Sequence, residues 1–169
     1  MMLIVGTIPD RDFPLIFGQV GREGDYLMAD GHRFSRVQGT GAMMSAALAT
    51  TSYLKLEPPH VLLAGDIGDG KGTRQIYQYL IGRVKELSPS VLALHYCLPI
   101  MALVRKLCQA IEECDRRPFM IADAGAMYAA KGAGLAPEFD ILTPDPSELA
   151  FMADPEATHP AYMAKYLFN

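Results

Sequence analysis

Short apolar runs alternate with longer segments of helical period along almost the whole chain, and this alternation constrains the fold more than any other feature. Five runs are apolar and bounded by Gly, Pro or polar residues, as buried strands are; they span residues 2–6, 60–65, 90–97, 119–124 and 139–144. Three longer segments repeat apolar residues at intervals of three and four; they span residues 40–56, 72–87 and 98–115. Strands that are apolar on both faces and alternate with helices predict a three-layer α/β fold with a mostly parallel sheet.

Residues 7–39 do not follow this alternation, because glycines and arginines are interleaved there. The segment can form a β-hairpin or a lid over a binding site, or it can be a long irregular connection. At 169 residues the chain is long enough to bury a core, and we expect residues 1–169 to be a single domain or the larger part of one.

Composition and charge limit the class of ligand. Half of the 169 residues are apolar and the mean hydropathy is +0.12, which is typical of a globular protein. The formal net charge is -4 and there is no block of Lys and Arg, so we expect neither a nucleic-acid nor a membrane-surface partner. The expected partner is a small molecule. The first residues lack the charged start of a signal peptide, and we expect a cytoplasmic location.

The cysteines and histidines give no metal or disulfide signature. The three cysteines lack C-x-x-C spacing and stand in apolar surroundings, which predicts buried free thiols; they are Cys97, Cys108 and Cys114. The histidines are scattered without an H-x-x-x-H pair, so a zinc site is not expected; they are His32, His60, His95 and His159.

The stretch "AGDIGDGKGTRQIY", residues 64–77, joins a predicted strand to a predicted helix and is rich in glycine. Its glycines, Gly65, Gly68 and Gly70 among them, would let backbone N–H groups approach an anion at a helix N-terminus. The stretch predicts a ligand-binding loop that suits a phosphate.

The same stretch satisfies most of a P-loop pattern, with Lys71 in the lysine position and Thr73 one place later than the usual hydroxyl residue. Its "GKGT" ending resembles the phosphate loop of adenylate kinases. Asp66 and Asp69 oppose that interpretation, because they place negative charge where phosphates would lie. A P-loop, a structural glycine turn and a ligand loop of another kind all remain open.

Two further predicted loops carry carboxylates at the ends of strands. Asp123 ends the strand of "IADAGAMY" and can either cap the following helix or face a ligand; in the P-loop interpretation it would be the Walker B carboxylate. In "LTPDPSEL", Asp145 and Glu148 stand three residues apart at a predicted helix start. They can hold Mg²⁺ through water, or they can act as a helix cap and a first-turn acid.

Four segments together resemble the ribokinase-like superfamily, which includes vitamin kinases and the ADP-dependent NAD(P)H-hydrate dehydratases. "LTPDPSEL" is similar to the "TPNxxE" and "LTPHPGE" segments, and "IADAGAMY" is similar to "LDADALN" about twenty residues upstream. "GTGAMMSAALATTSYLKL" resembles the early "YTGAA" helix, and "AGDIGDGKGTRQIY" takes the place of the "GPGLG" loop. The resemblance covers roughly residues 37–152.

The resemblance implies a ribokinase-like enzyme whose ligand crevice includes Ala42, the glycine loop, Asp123 and Asp145, with Mg²⁺ at Asp145 and Glu148. The implied cofactor is ATP or ADP, and the implied reaction is loss of water from NAD(P)H-hydrate. A kinase of the same fold that acts on a sugar or vitamin precursor is the first alternative. A non-catalytic nucleotide-binding module and a P-loop nucleoside monophosphate kinase are the others.

Departures from the family pattern leave the catalytic residue unassigned. Asp145 stands where the dehydratases have His, Gly125 where they have their second Asp, and Tyr128 where they have Asn. The family's catalytic Asp lies in a later "GxGD" segment that does not occur after residue 152. We therefore expect the fold to be incomplete at its C-terminal end, and this chain alone to be inactive. Exposed apolar surface would then favour self-association into a homo-oligomer.

Overall fold

A computed structural model describes residues 1–157. Its strands are β1 (Met2–Ile8), β2 (Ile16–Gln19), β3 (Gly21–Glu23), β4 (Tyr26–Ala29), β5 (His32–Ser35), β6 (His60–Gly65), β7 (Val91–His95), β8 (Phe119–Ala122) and β9 (Ile141–Leu142). Its helices are α1 (Gly39–Tyr53), α2 (Lys71–Leu87), α3 (Met101–Glu112), α4 (Gly125–Gly132) and α5 (Pro146–Ala153), with a 3₁₀ turn at Ala136–Glu138. The predicted α/β class is confirmed.

The main sheet has six strands in the order β2-β6-β1-β7-β8-β9. All neighbouring strands run parallel except β2, which pairs antiparallel with β6. The chain adds β6 on one side of β1 and then β7 on the other, so the direction of winding reverses between β1 and β7. In open α/β sheets, ligands bind beyond the carboxyl ends of the strands at such a reversal.

Alternating residues of the central strands point to opposite faces of the sheet, and each face has its own core. Leu3 and Val5 of β1 pack on the side that carries α2, α3 and α4. Ile4 packs on the other side with Met44 of α1 and with residues of the small sheet. The sheet is therefore covered on both faces, as the apolar runs predicted.

Residues 7–39 contain four of the short strands. β3, β4 and β5 form a separate antiparallel sheet of three strands, which is the hairpin alternative of the sequence analysis extended by one strand. Leu27 and Phe34 of this sheet are buried beside α1. The strand β2 was not predicted, because its four residues "IFGQ" are too short to show a period.

Helix α4 is the helix expected after Asp123, for which the sequence analysis gave no bounds. The helix forms because its small apolar residues, Ala126, Ala129 and Ala130 among them, are fully buried against the sheet. Within residues 1–157, none of the helices combines the length and the apolarity needed to cross a bilayer. The expectation of an apolar, exposed C-terminal ending and His159 both fall outside the described residues.

Candidate functional site

The carboxyl ends of β1, β6, β7, β8 and β9 meet at one edge of the main sheet, and two open depressions lie there side by side. The larger has a volume of about 450 Å³ and is lined by Gly39, Ala42, Met43, His95, Tyr96, Asp123, Ala124, Thr143, Asp145 and Glu148. The smaller, of about 280 Å³, is lined by Thr7, Ile8, Pro9, Ser35, Gln38, Gly39, Thr40, Asp66 and Tyr96. Gly39 and Tyr96 border both, at the reversal between β1 and β7. We call the first the acidic depression and the second the hydroxyl depression.

The acidic turn at the start of α5 is a complete capping box. The Asp145 carboxylate accepts a hydrogen bond from the Glu148 amide at 2.8 Å, and the Asp145 amide donates to the Glu148 carboxylate at 2.9 Å. Ser147 Oγ donates to the same oxygen of Asp145 at 2.7 Å. The hydrogen bonds from Glu148 and Ser147 lower the pKa of Asp145 below its ordinary value. The carboxylates therefore act as caps, and each uses one oxygen to do so.

The phenol of Tyr128 lies next to this turn and faces both carboxylates. Burial raises the pKa of Tyr128, and the negative charges of Glu148 and Asp145 raise it further. The phenol therefore stays protonated beside two carboxylates, where it can donate a hydrogen bond.

In the glycine loop, the carboxylate of Asp66 occupies the backbone amides that were predicted to hold a phosphate. Its Oδ1 accepts from the amides of Gly68 and Gly70, each at 3.0 Å. Its Oδ2 accepts from both the amide and the hydroxyl of Thr73 at 2.9 Å. Asp69 likewise accepts from the amide of Lys71 at 3.0 Å. The aspartates of the loop thus take up four of its backbone amides, and this geometry opposes the P-loop interpretation.

Asp66 is only 8% exposed, and two effects of opposite sign act on its carboxyl group. Burial alone would raise the pKa of Asp66, whereas the hydrogen bonds from Thr73, Gly70 and Gly68 lower it. Together the hydrogen bonds outweigh burial, and the pKa lies below its ordinary value. Asp66 therefore remains ionised at neutral pH and holds the start of α2 against the end of β6.

Three side chains from separate elements form a hydrogen-bonded row between the two depressions. Thr40 Oγ1 of α1 lies 3.1 Å from His95 Nδ1 at the end of β7, and His95 Nε2 lies 3.0 Å from Asp123 Oδ2 after β8. Gly6 of β1 makes room for this row, because a Cβ at that position would lie 2.6 Å from the Thr40 methyl group. Burial lowers the pKa of His95, and the charge of Asp123 opposes that effect without cancelling it.

The backbone turns sharply immediately after both His95 and Asp123. Tyr96 and Ala124 adopt φ values of 51° and 49°, which residues with a side chain rarely do. The Thr7 hydroxyl donates to the Tyr96 carbonyl at 2.6 Å, and the Ala124 amide donates to Asp123 Oδ1 at 2.9 Å. Strained backbone held in place by such bonds is concentrated at functional sites in proteins. Asp123 faces the crevice and does not act as the helix cap, since Ala124 is the N-cap residue of α4.

The structure brings together only part of the predicted site. Ala42, Asp123, Asp145 and Glu148 line the acidic depression, and Asp66 lines the hydroxyl depression next to it. The other predicted positions line neither depression; they are Gly65, Gly68, Gly70, Lys71 and Thr73. Gly65 has a packing role, because a Cβ there would collide with the carbonyl oxygen of Asp10.

His95 and Thr40 were missed by the sequence analysis. His95 is the last residue of an otherwise apolar parallel strand, "VLALH", and a polar residue at that point faces the ligand edge of such a sheet. The position of His95 at the end of an apolar strand could have identified it as a site residue, but the histidines were considered only as zinc ligands. Within residues 1–157, no three His, Cys, Asp or Glu side chains are arranged to hold a metal ion directly.

A third depression, of about 470 Å³, lies away from the strand ends between the small sheet and α1. It is slightly larger than the acidic depression and is lined by Arg22 and Arg36 together with serines and apolar residues. Size alone would favour it as the functional site. We assign the site to the strand ends because a carboxylate, a histidine and a hydroxyl group are in contact there, next to two residues with strained backbone conformations.

Fold and site together define an α/β protein with a polar cleft at the reversal point of a mostly parallel sheet. The chain is similar to an uncharacterized protein from Methanocaldococcus jannaschii, with 38% identity over 125 residues. That match covers 74% of this chain and 49% of the relative, so the chain spans about half the length of the curated relative that it matches. No family model and no solved structure matches the chain.

Proposed function

We propose that the protein is a nucleotide-dependent enzyme of the ribokinase-like type, which binds a small polar substrate and ATP or ADP with Mg²⁺ at the strand ends. The observation that carries this proposal is the acidic depression. Ala42, Asp123 and the Asp145–Glu148 turn belong to three separate sequence segments that resemble that superfamily, and they line one depression.

Magnesium fits this depression as an ion held through water. The capping box engages one oxygen of Asp145 and one of Glu148, so the second oxygen of each can accept from a magnesium-bound water. Mg²⁺ keeps several of its waters in such sites and needs only one or two carboxylates from the protein. The ion would supply positive charge to neutralise nucleotide phosphates.

The reaction that the resemblance favours is the ADP- or ATP-driven loss of water from NAD(P)H-hydrate. A kinase acting on a sugar or a vitamin precursor is the second candidate, and the hydroxyl depression favours it. Thr7, Ser35, Gln38 and Thr40 give that depression the neutral donors and acceptors that orient a hydroxylated substrate. We do not propose a P-loop kinase, because Asp66 occupies the loop amides.

Isothermal titration of the protein with ADP, ATP and NADPH, with and without Mg²⁺, tests the proposal. We expect an adenine nucleotide to bind only when Mg²⁺ is present. Absence of binding by all three at millimolar concentration would contradict the proposed function. Assays of nucleotide-dependent NADPH-hydrate loss and of phosphate transfer to sugars and vitamin precursors then separate the two reactions.

The variant Asp145→Asn combined with Glu148→Gln separates the metal role from the cap role. Asn is a good N-cap residue and Gln completes a capping box as Glu does, so the helix start should be preserved while two charges are lost. If the carboxylates order magnesium waters, the Mg²⁺ concentration for half-maximal nucleotide binding should rise about tenfold. An unchanged magnesium requirement would remove these residues from the site.

A further inference from the structure

The row Thr40–His95–Asp123 has a defined direction of proton donation. A carboxylate can only accept, so a neutral His95 ring that is hydrogen-bonded to Asp123 carries its proton on Nε2, which lies 3.0 Å from Asp123 Oδ2. His95 Nδ1 is then an acceptor, and the Thr40 hydroxyl 3.1 Å away can donate to it. The same hydroxyl has a competing acceptor, the Thr7 carbonyl oxygen at 2.9 Å. A hydroxyl carries one proton, so it serves one of these acceptors at a time.

We propose that His95 is a positioning residue for Asp123: it donates from Nε2 and accepts the Thr40 hydroxyl on Nδ1, so that Asp123 presents a fixed carboxylate to the ligand in the acidic depression. Both oxygens of Asp123 are then held, Oδ2 by His95 and Oδ1 by the Ala124 amide at 2.9 Å. The inference rests on the proposed function only for the statement that a ligand lies at Asp123.

Burial and backbone geometry support this role. His95 and Thr40 are 5% and 2% exposed, whereas the side chain of Asp123 is 28% exposed. Asp123 is thus the most exposed member of the row, whereas His95 borders the acidic depression and Thr40 the hydroxyl depression with only a small part of their surface. Tyr96 and Ala124, which directly follow His95 and Asp123, adopt unfavourable backbone conformations of the kind concentrated at functional sites. Burial, which lowers the pKa of His95, keeps the ring neutral.

The proton position in the His95 ring can be measured without any ligand. Long-range ¹H–¹⁵N correlation spectra at slightly alkaline pH report which ring nitrogen carries the proton, and loss of signals in His95→Gln assigns the ring. We expect a single Nε2–H form in the native protein. A predominantly Nδ1–H ring would overturn the proposal.

Asp123→Asn gives the matched test of direction. An Asn amide can donate to Nε2, and the row can then reverse: Nδ1–H donates to Thr40, and the Thr40 hydroxyl donates to the Thr7 carbonyl. We expect the Nδ1–H form to appear in this variant and not in Thr40→Ser, which retains the hydroxyl. An Nε2–H form that persists unchanged in Asp123→Asn would show that Asp123 does not set the ring, and the proposal would fail.

Nucleotide titration supplies the functional arm. His95→Gln retains a side-chain N–H donor for Asp123, whereas His95→Leu has none. A hydrogen bond to a charged group is worth enough to change affinity about tenfold, so the dissociation constant of Mg-ADP should rise by about that factor in His95→Leu and much less in His95→Gln. An equal rise of the dissociation constant in His95→Leu and His95→Gln would contradict the positioning role of His95. If Mg-ADP does not bind the native protein, the proposed function fails, and the ring spectra alone decide the inference.

Discussion

At the scale of single residues, the side chain of Asp66 occupies a position that the sequence pattern predicts for a bound ligand. Asp66 fills a ring of backbone amides that the glycine spacing predicted for a phosphate. Its carboxylate is an internal anion that hydrogen-bonds these amides in place of a bound molecule. His95 shows the reverse case, because a histidine that stands alone in the sequence lines the acidic depression and contacts Thr40 and Asp123 in the fold.

Asp66→Asn should therefore destabilise the protein. The amide keeps one acceptor oxygen and loses the negative charge, so several charge-assisted hydrogen bonds become weaker or are lost. We expect a decrease of about 2–3 kcal/mol in the free energy of unfolding, measured by urea denaturation at neutral pH. A change below about 0.5 kcal/mol, which is ordinary for surface substitutions, would show that the loop does not depend on this carboxylate.

Acid should remove the same contribution from the native protein. The pKa of Asp66 is lowered in the folded state, so its stabilisation is present above the unfolded-state pKa of about 3.9 and is lost as pH falls through the lower folded-state pKa. The difference in stability between native protein and Asp66→Asn should be constant from neutral pH to about pH 5 and decrease below about pH 4. A difference that shrinks already near neutral pH would contradict the lowered pKa.

At the scale of secondary-structure elements, helix α2 depends on close backbone approach at its start. The first turn of α2 packs directly on the end of β6, and a Cβ at Gly72 would collide with the Gly65 carbonyl oxygen. Gly82, later in the same helix, has open space around it. The two glycines have the same intrinsic helix propensity, and only their surroundings differ.

Alanine substitutions at these two glycines should have opposite effects. Gly72→Ala should lower the free energy of unfolding by about 2 kcal/mol or more, because backbone has to move. Gly82→Ala should raise it by up to about 1 kcal/mol, since Ala is the better helix former. Thermal and urea unfolding of the two variants side by side provide the measurement. If both substitutions change the free energy of unfolding in the same direction, the packing described for α2 is contradicted.

The capping box of α5 predicts a second effect at this scale. Asp145→Ala removes the acceptor for the Glu148 amide and should cost about 1 kcal/mol, whereas Asp145→Asn should cost a few tenths. Amide exchange within Pro146–Ala153 reports the loss most directly, because the cap acts on that helix. If the amides of α5 exchange at the same rate in Asp145→Ala and Asp145→Asn, the capping box contributes little to the stability of the helix.

At the scale of the whole molecule, the two sheets differ in how they are protected. β1 lies at the centre of the six-stranded sheet with both faces covered, and Leu3, Ile4 and Val5 are almost completely buried. The small sheet has three strands of three or four residues, and its burial rests mainly on Leu27, Ala29 and Phe34. A sheet with so few buried apolar contacts can open locally at a low free-energy cost.

Native-state hydrogen exchange should resolve this difference. Amides of β3, β4 and β5 should exchange through local opening, well before those of β1, β6 and β7, which should require global unfolding. Phe34→Ala should increase exchange of the small sheet while changing the slowest amides of β1 much less. Uniform exchange of both sheets would show instead that the small sheet is part of a single cooperative unit.

The sequence by itself determined the order of the main elements. Each of the five predicted strands and three predicted helices overlaps an observed element, although the last strand is only Ile141–Leu142 of the predicted 139–144. The overlap follows because the hydrophobic pattern of a buried strand or helix is local information. The capping box was also within reach of the sequence, since both partners lie in one turn.

Only the tertiary structure decided which residues meet. Thr40 and His95 are 55 positions apart, and they come together because α1 packs on the face of β1 next to β7. The loop amides could not be assigned from spacing either, since glycines that admit a phosphate admit the carboxylate of Asp66 equally well. Contacts between distant segments depend on strand order and on which face each helix covers, and no local period records either of these.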